Sequence, residues 1–176
     1  MRGIRRSVAG VLLATSAVVG LSGSLSKAQG TAMTIDDLVR KSGPELDALY
    51  AGGSVPAVPD GRVRGRAIYY PGTKLAVPMS RGARLVWQGK VFDAANATAV
   101  NKFFGVRAIR GKLYQAESWR DGAPALILDY QETSRIYGNN RDEIRQVGPG
   151  LYLGLMYART SPSPTLKMYF ALEACP

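Results

Sequence analysis

The chain of 176 residues carries 23 lysines and arginines, 13 acidic residues and no histidine, for a net charge of +10. Without histidine, the commonest general base and the commonest metal ligand are both missing. The basic residues are scattered rather than gathered into a stripe, which argues against nucleic-acid binding, although attraction to an anionic surface or an acidic ligand stays open. The single cysteine, Cys175, cannot form an internal disulfide, so stability has to come from core packing.

The first 28 residues have the pattern of a secretory signal peptide. A basic start, "MRGIRR", precedes the apolar run "SVAGVLLATSAVVGL" and the small-x-small sequence Ser26-Lys27-Ala28, which predicts cleavage after Ala28. The apolar run is too short to be retained as a membrane span, and no lipobox cysteine is present. We therefore expect a periplasmic or extracellular protein. The general secretory route is favoured, and Arg5-Arg6 would also suit twin-arginine export.

Cleavage would leave about 148 residues with a net charge of +6, enough for one domain with a real core and no membrane span. Residues 29–58 are predicted to form a helical segment and a linker. Thr34 is placed to cap a first helix, Pro44 suits the first turn of a second, and Gly52-Gly53 ends it. The stretch "SVPAVPDG" is the linker to the next unit.

Residues 59–176 read as short strands separated by turns. Strands of six to nine residues alternate with breaks such as Gly138-Asn139-Asn140 and Gly148-Pro149-Gly150, a pattern typical of an antiparallel barrel or sandwich. The stretch "AANATAVNKFF" suggests a short helix or an irregular insert, and "MSRGA" suggests a turn.

The segment "RDEIRQVGPGLYLGLMY", residues 141–157, is predicted to be a hairpin. In its first strand Asp142 and Ile144 lie on one side, while Glu143 and Arg145 lie on the other. The second strand is apolar on both sides, as expected for a strand covered by the barrel core inside and a helix outside. Gly154 would permit the tight coiling that closure of a small barrel requires.

Four stretches resemble a set of small exported bacterial proteins known mainly as uncharacterised. They are "WQGKVF", "SWRDG", "LDYQETS" and "RDEIRQVGPGLYLG". Those proteins are distantly similar to the lipocalin-like barrels named for a Gly-X-Trp-X-Gly motif, whose place here is taken by residues 61–65, with Val63 instead of tryptophan. The resemblance implies a mainly β fold, an antiparallel lipocalin-like (calycin-like) barrel, and the binding of an apolar ligand. It brings no catalytic residue.

Asp129, within the apolar "ALILDY", is the centre of the candidate site. A buried carboxylate needs a partner, and we expect Arg141 or Arg145, one hairpin away, to pair with it. Such a pair could orient the polar head of a ligand, or it could have a structural role and fix the register of two strands.

The candidate ligand-binding residues are Trp87, Trp119, Asp129, Tyr130, Arg141, Arg145, Tyr152 and Tyr157. No catalytic residue, metal ligand or cofactor is predicted, and the oligomeric state is left open. The main hypothesis is an exported barrel that holds an apolar or amphipathic small molecule in its lumen. The alternatives are a histidine-free isomerase or cyclase that uses Asp, Tyr and Arg, and a filled barrel with a structural or interaction role.

Overall fold

The computed structural model describes residues 32–175, so the predicted signal peptide and its cleavage site lie outside the described residues. The described chain is mainly β, and its eight strands form one closed antiparallel barrel. Each strand pairs with the next along the chain, and the first strand closes the barrel by pairing with the last. The strands are β1 (Gly61–Ile68), β2 (Trp87–Asp93), β3 (Thr98–Phe103), β4 (Val106–Glu117), β5 (Pro124–Asp129), β6 (Asn140–Gly148), β7 (Leu151–Ala158) and β8 (Thr165–Ala174).

Three helices accompany the barrel: α1 (Ile35–Arg40), α2 (Gly43–Ala51) and α3 (Ala76–Ala83). The predicted cap at Thr34 is confirmed, since its backbone N–H donates to Asp37 at 2.9 Å while its hydroxyl accepts from the Asp37 N–H at 3.2 Å. At the start of α2 the backbone N–H and the hydroxyl of Ser42 both donate to Oε2 of Glu45, at 2.8 and 2.6 Å. Within residues 32–175, no helix is long and apolar enough to cross a bilayer.

Two expectations about local structure are wrong. The stretch after Asp93 is neither a helix nor an insert, because Asn96 bonds back to the Asp93 carboxylate and Ala97 takes a positive φ of 48°, which turns the chain directly into β3. The "MSRGA" stretch is not a turn but the second half of α3. The hairpin between β6 and β7 is confirmed, with its loop at the glycines flanking Pro149.

α1 and α2 pack on the outside of the barrel, over β7, β8 and β1. This explains why β7 is apolar on both faces: alternate residues point into the lumen and into the layer beneath the helices. The outer layer is formed by Ile35, Leu38, Val39, Leu46, Tyr50, Ile68, Leu151, Leu153, Leu155, Tyr157, Tyr169 and Ala171.

The two ends of the barrel differ. At the closed end, where β1 begins and β2 ends, the lumen is filled by Val63, Phe92, Tyr152 and Leu172. At the open end, where β1 ends and β2 begins, α3 lies beside the mouth of a cavity. Gly154 lies between the two ends of the barrel. A Cβ at this position would overlap the ring of Phe170, as expected for a crowded strand interior.

Candidate functional site

The open end of the barrel contains a cavity of about 470 Å³. Its wall is built mainly from aromatic and apolar side chains, and α3 contributes part of its mouth. This volume lies within the range of pockets that bury small organic molecules. The lining residues are Ala67, Tyr69, Pro78, Met79, Gly82, Ala83, Val86, Trp87, Lys90, Asn101, Phe103, Tyr130, Tyr137, Asp142, Met156, Met168 and Phe170.

A buried polar cluster interrupts this apolar wall. Nζ of Lys90 donates to Oδ2 of Asp142 at 2.7 Å, to Oδ1 of Asn101 at 2.8 Å and to the Tyr130 hydroxyl at 3.0 Å. The Tyr130 hydroxyl donates to the same Asp142 oxygen at 2.7 Å and accepts from Nδ2 of Asn101 at 2.9 Å. All four side chains are at least 97% buried. The cluster is therefore a closed network in which the ammonium group uses all three of its donors.

The electrostatics of this network reflect its burial. Burial lowers the pKa of the Lys90 ammonium below its ordinary value, although the charge of Asp142 opposes the shift. Burial and the nearby Asp142 raise the pKa of Tyr130 well above its ordinary value, which keeps this hydroxyl protonated. The rings of Trp87 and Phe170 lie 5.4 and 5.1 Å from the ammonium and give it further stabilisation.

One carboxylate oxygen of the cluster is left for a ligand. Oδ1 of Asp142 makes no hydrogen bond to any residue between 32 and 175. In that part of the chain the only fully enclosed side-chain nitrogen or oxygen without a hydrogen-bond partner is Nε of Arg141, which lies 3.3 Å from Oε1 of Glu143, so Oδ1 of Asp142 is not fully enclosed and keeps access to the cavity. The hydroxyls of Tyr69 and Tyr137, which line the same cavity, also donate to no described residue. The cavity therefore presents one unused acceptor and two hydroxyls.

Two of the candidate ligand-binding residues lie at this cavity. Trp87 lines it and donates from Nε1 to Oδ1 of Asn101 at 3.0 Å, and Tyr130 is part of the polar cluster. Tyr152 also faces the lumen, but it belongs to the packed closed end. The other five candidates, Trp119, Asp129, Arg141, Arg145 and Tyr157, do not line this cavity.

The expected pairing of Asp129 with Arg141 or Arg145 is wrong. Since Leu126 and Leu128 point into the lumen, strand alternation turns Asp129 to the outer face of β5. There it accepts from Nη2 of Arg159 at 2.7 Å and from the Tyr114 hydroxyl at 2.8 Å. Burial acts to raise the pKa of Asp129, but hydrogen bonds from the Gln131 N–H, Tyr114 and Arg159 outweigh it and lower the pKa.

Arg141 faces Asp129 across the two strands, yet its side chain turns elsewhere. Its Nη2 donates to the Glu117 carbonyl at 2.6 Å, and its guanidinium lies 4.2 Å from the ring centroid of Trp119. Trp119 in turn packs edge-on against Tyr157 at 5.7 Å. These residues form a packed cluster on the outside of the barrel.

The Arg145 side chain connects α2 and the β4–β5 loop to the outer face of β6. Its guanidinium makes two hydrogen bonds to the Asp121 carboxylate, at 2.8 and 2.7 Å, and donates to the Tyr50, Ala123 and Pro124 carbonyls. Glu143, the neighbouring outward residue on β6, also connects this strand to the β4–β5 loop, because it accepts a hydrogen bond from the Trp119 N–H at 2.9 Å. The predicted alternation of the charged block is confirmed: Asp142 faces the lumen, and the flanking charges face outward.

Lys90 and Asn101 were not among the candidates from sequence. A register shift in β2 between Trp87 and Gly89 places both Trp87 and Lys90 in the lumen, although they are three residues apart. A strict alternation from Trp87 would turn Lys90 outward. The sequence did contain one signal for Lys90. Phe92 faces the lumen, and strand alternation places the residue two positions before it, Lys90, on the same face.

Within residues 32–175, no three cysteine, aspartate or glutamate side chains come together as a metal site would require. The two carboxylates of the charged block, Asp142 and Glu143, lie on opposite faces of β6 and cannot share one site.

No protein-family model matches the chain, and no curated protein matches it. A crystal structure of a protein from Thermomonospora curvata is similar to it, with a TM-score of 0.51 and 20% sequence identity. The similarity covers 78% of this chain and 90% of that one. At this identity the similarity concerns the fold alone.

Proposed function

We propose that this protein binds an apolar or amphipathic small molecule in the cavity at the open end of its barrel, in the manner of a lipocalin-like carrier. The observation that supports this most strongly is the 470 Å³ cavity, whose apolar wall is interrupted by a single buried polar cluster. Pockets with this composition use the wall for affinity and the few polar atoms for orientation. The proposal includes export, on the strength of residues 1–28.

The polar cluster favours a ligand whose head group donates a hydrogen bond. Lys90 already donates to three partners, and its charge is balanced by Asp142, so no cationic donor is left for a ligand carboxylate. The unused charged atom is Oδ1 of Asp142, which repels an anion and accepts from a hydroxyl or an N–H, while the Tyr69 and Tyr137 hydroxyls are neutral donors. We therefore expect an apolar alcohol or amide rather than a fatty acid.

The two alternatives from sequence receive less support. A filled barrel describes the closed end, but not the end that contains the cavity. A histidine-free isomerase or cyclase would gain support from a carboxyl group of raised pKa beside a tyrosine, yet the pKa of Asp129 is lowered and the residue faces outward. The buried Lys90–Asp142–Tyr130 set could exchange protons, but its donors are committed to one another.

The first experiment is mass spectrometry on the protein purified without detergent, both intact under native conditions and after solvent extraction. A retained small molecule that disappears on extraction is the expected result. Decan-1-ol and decanoate, which differ only in the head group, then compete against a fluorescent apolar probe. The alcohol should displace the probe at lower concentration than the carboxylate.

A blocking variant ties the binding to this cavity. Ala83 lines the mouth on α3, so Ala83→Trp should reduce probe binding, whereas Ala95→Trp, in the exposed β2–β3 turn at the closed end, should not. Equal binding by the two variants, or the absence of both a retained molecule and probe binding in the unmodified protein, would refute the proposal.

A further inference from the structure

Exposed apolar side chains are concentrated at the open end of the barrel. Of the ten large apolar side chains that are exposed between residues 32 and 175, eight lie on the segments that connect strands at this end or on the first residues after them. Large exposed apolar areas are unusual unless they contact another apolar phase. The eight are Tyr70, Leu75, Met79, Leu85, Val86, Phe104, Val106 and Ile136.

The same end is basic. The segment from residue 69 to residue 86 contains no acidic residue, and the other open-end connections contain one, Glu132, which is paired with Lys112. Five exposed basic side chains lie at this end, and none of them forms an ion pair with a residue that the structure describes. They are Lys74, Arg81, Arg84, Arg107 and Arg135.

We infer that the open end of the barrel docks on the surface of an anionic lipid bilayer. The exposed side chains of Leu85 and Phe104, which are 78% and 72% exposed, would enter the acyl boundary, while the basic side chains would contact lipid phosphates. Each basic residue near an anionic surface adds to the attraction, and several act together.

Docking in this orientation would place the cavity against the lipid. Met79 and Val86 belong both to the exposed apolar set and to the lining of the cavity, so the lipid-facing surface is continuous with the mouth. An apolar molecule could then pass between bilayer and lumen without crossing water. The docking itself does not depend on the proposed ligand binding, because it uses only residues outside the lumen and at its rim.

The test is flotation with vesicles of phosphatidylcholine, alone or mixed with phosphatidylglycerol, at low and high salt. The protein is used in the form that the producing cell releases, and variants are compared only in that form, so that the N-terminal residues contribute equally. We expect the protein to bind the mixed vesicles at low salt. Binding to the neutral vesicles should be weaker by roughly tenfold or more, and high salt should reduce binding to the mixed vesicles.

Charge-reversal pairs locate the surface. Arg81→Glu with Arg84→Glu should weaken binding to anionic vesicles by roughly tenfold or more. The matched control is Arg110→Glu with Arg120→Glu, which changes the net charge equally at exposed sites, on β4 near Asp93 and in the β4–β5 loop at the closed end. Leu85→Ser should also weaken binding, and circular dichroism should show that all variants keep the fold.

Three results would overturn the inference. One is equal binding to neutral and anionic vesicles. Another is an equal loss in the two charge-reversal pairs, since the open end would then have no special role. The third is failure to bind anionic vesicles at low salt. If the protein then forms a dimer that Leu85→Ser abolishes, this surface contacts a second copy of the chain.

Discussion

Removal of the Asp142 charge would leave the Lys90 ammonium group alone inside the barrel. The variant Asp142→Asn keeps the size of the side chain and one carbonyl oxygen, so it changes the charge with little change in packing. Both partners are at least 97% buried. The remaining contacts, to Asn101 and the Tyr130 hydroxyl, are with neutral groups.

The magnitude follows from the two responses open to the lysine. If Lys90 keeps its charge, an unpaired buried ion destabilises the fold by about 3–5 kcal/mol. If it loses its proton instead, folding must deprotonate a group whose ordinary pKa is about 10.4, which near pH 7 costs about 5 kcal/mol. Both routes lead to a similar loss, so the variant should lose several kcal/mol of the free energy of unfolding.

The loss should shrink as the pH rises. In the variant the folded state binds fewer protons than the unfolded state, because the pKa of Lys90 is lowered only in the folded state, so stability increases with pH up to the ordinary pKa. At about pH 9 the cost of deprotonation is only about 2 kcal/mol. The unmodified protein should show the same trend more weakly, since Asp142 opposes the lowering of the pKa.

Urea denaturation at neutral and alkaline pH, on the two single variants and the double variant Lys90→Met/Asp142→Asn, measures these quantities. The double variant should lose less than the sum of the single losses, because no buried charge is left. A loss below about 1 kcal/mol for Asp142→Asn, with no dependence on pH, would show that water reaches the pair and that the described burial is wrong.

Three further outcomes are expected. Gly154→Val should lower the free energy of unfolding by about 1–3 kcal/mol in urea, because the new side chain would overlap the Phe170 ring. Asp129→Asn should cost about 1 kcal/mol or less, since its ion pair with Arg159 is partly exposed. Because the pKa of Asp129 is lowered despite its burial, this contribution should be present above about pH 4 and be lost on further acidification. Intact-mass measurement of protein recovered from the periplasm or the medium should show a chain that starts at Gln29, within a few residues.

Each outcome has a control or a contrary result. Gly82→Ala, where an added Cβ meets no atom within 4 Å, should change stability little, and an unchanged urea midpoint for Gly154→Val would contradict the crowding. A loss of about 3 kcal/mol for Asp129→Asn would match a buried pair instead. Full-length chain found in the cytoplasm alone would contradict export.

Local patterns were sufficient where the determinant of structure is local. The cap at Thr34, the second helix at Pro44 and the hairpin around Pro149 each follow from residues close together in the chain. Alternation along β6 also placed Asp142 and Glu143 on opposite faces correctly, because that strand is regular until Gln146.

The site was harder to predict because it depends on irregularities and on distant strands. One extra residue in β2 is enough to bring Lys90 into the lumen, and the sequence around Gly89 does not distinguish that bulge from regular pairing. Asp129 lies opposite Arg141, but the arginine it binds, Arg159, comes from the connection after β7 rather than from the facing strand. α3 was missed because Pro78 and Gly82 disfavour a helix locally, while its place depends on packing against β1 and α1.

The helices α1 and α2 cover one half of the barrel and leave the other half uncovered. Strands β7, β8 and β1 are held between the lumen and the helical layer, whereas the outward residues of β4, such as Arg110 and Tyr114, face solvent. Backbone amides of β7 should therefore exchange with deuterium only on global unfolding, and those of β3 and β4 by local opening. A lumen with one uncovered wall can widen for ligands of different girth only as far as the Lys90–Asp142 pair allows, because this pair joins β2 to β6 across the lumen.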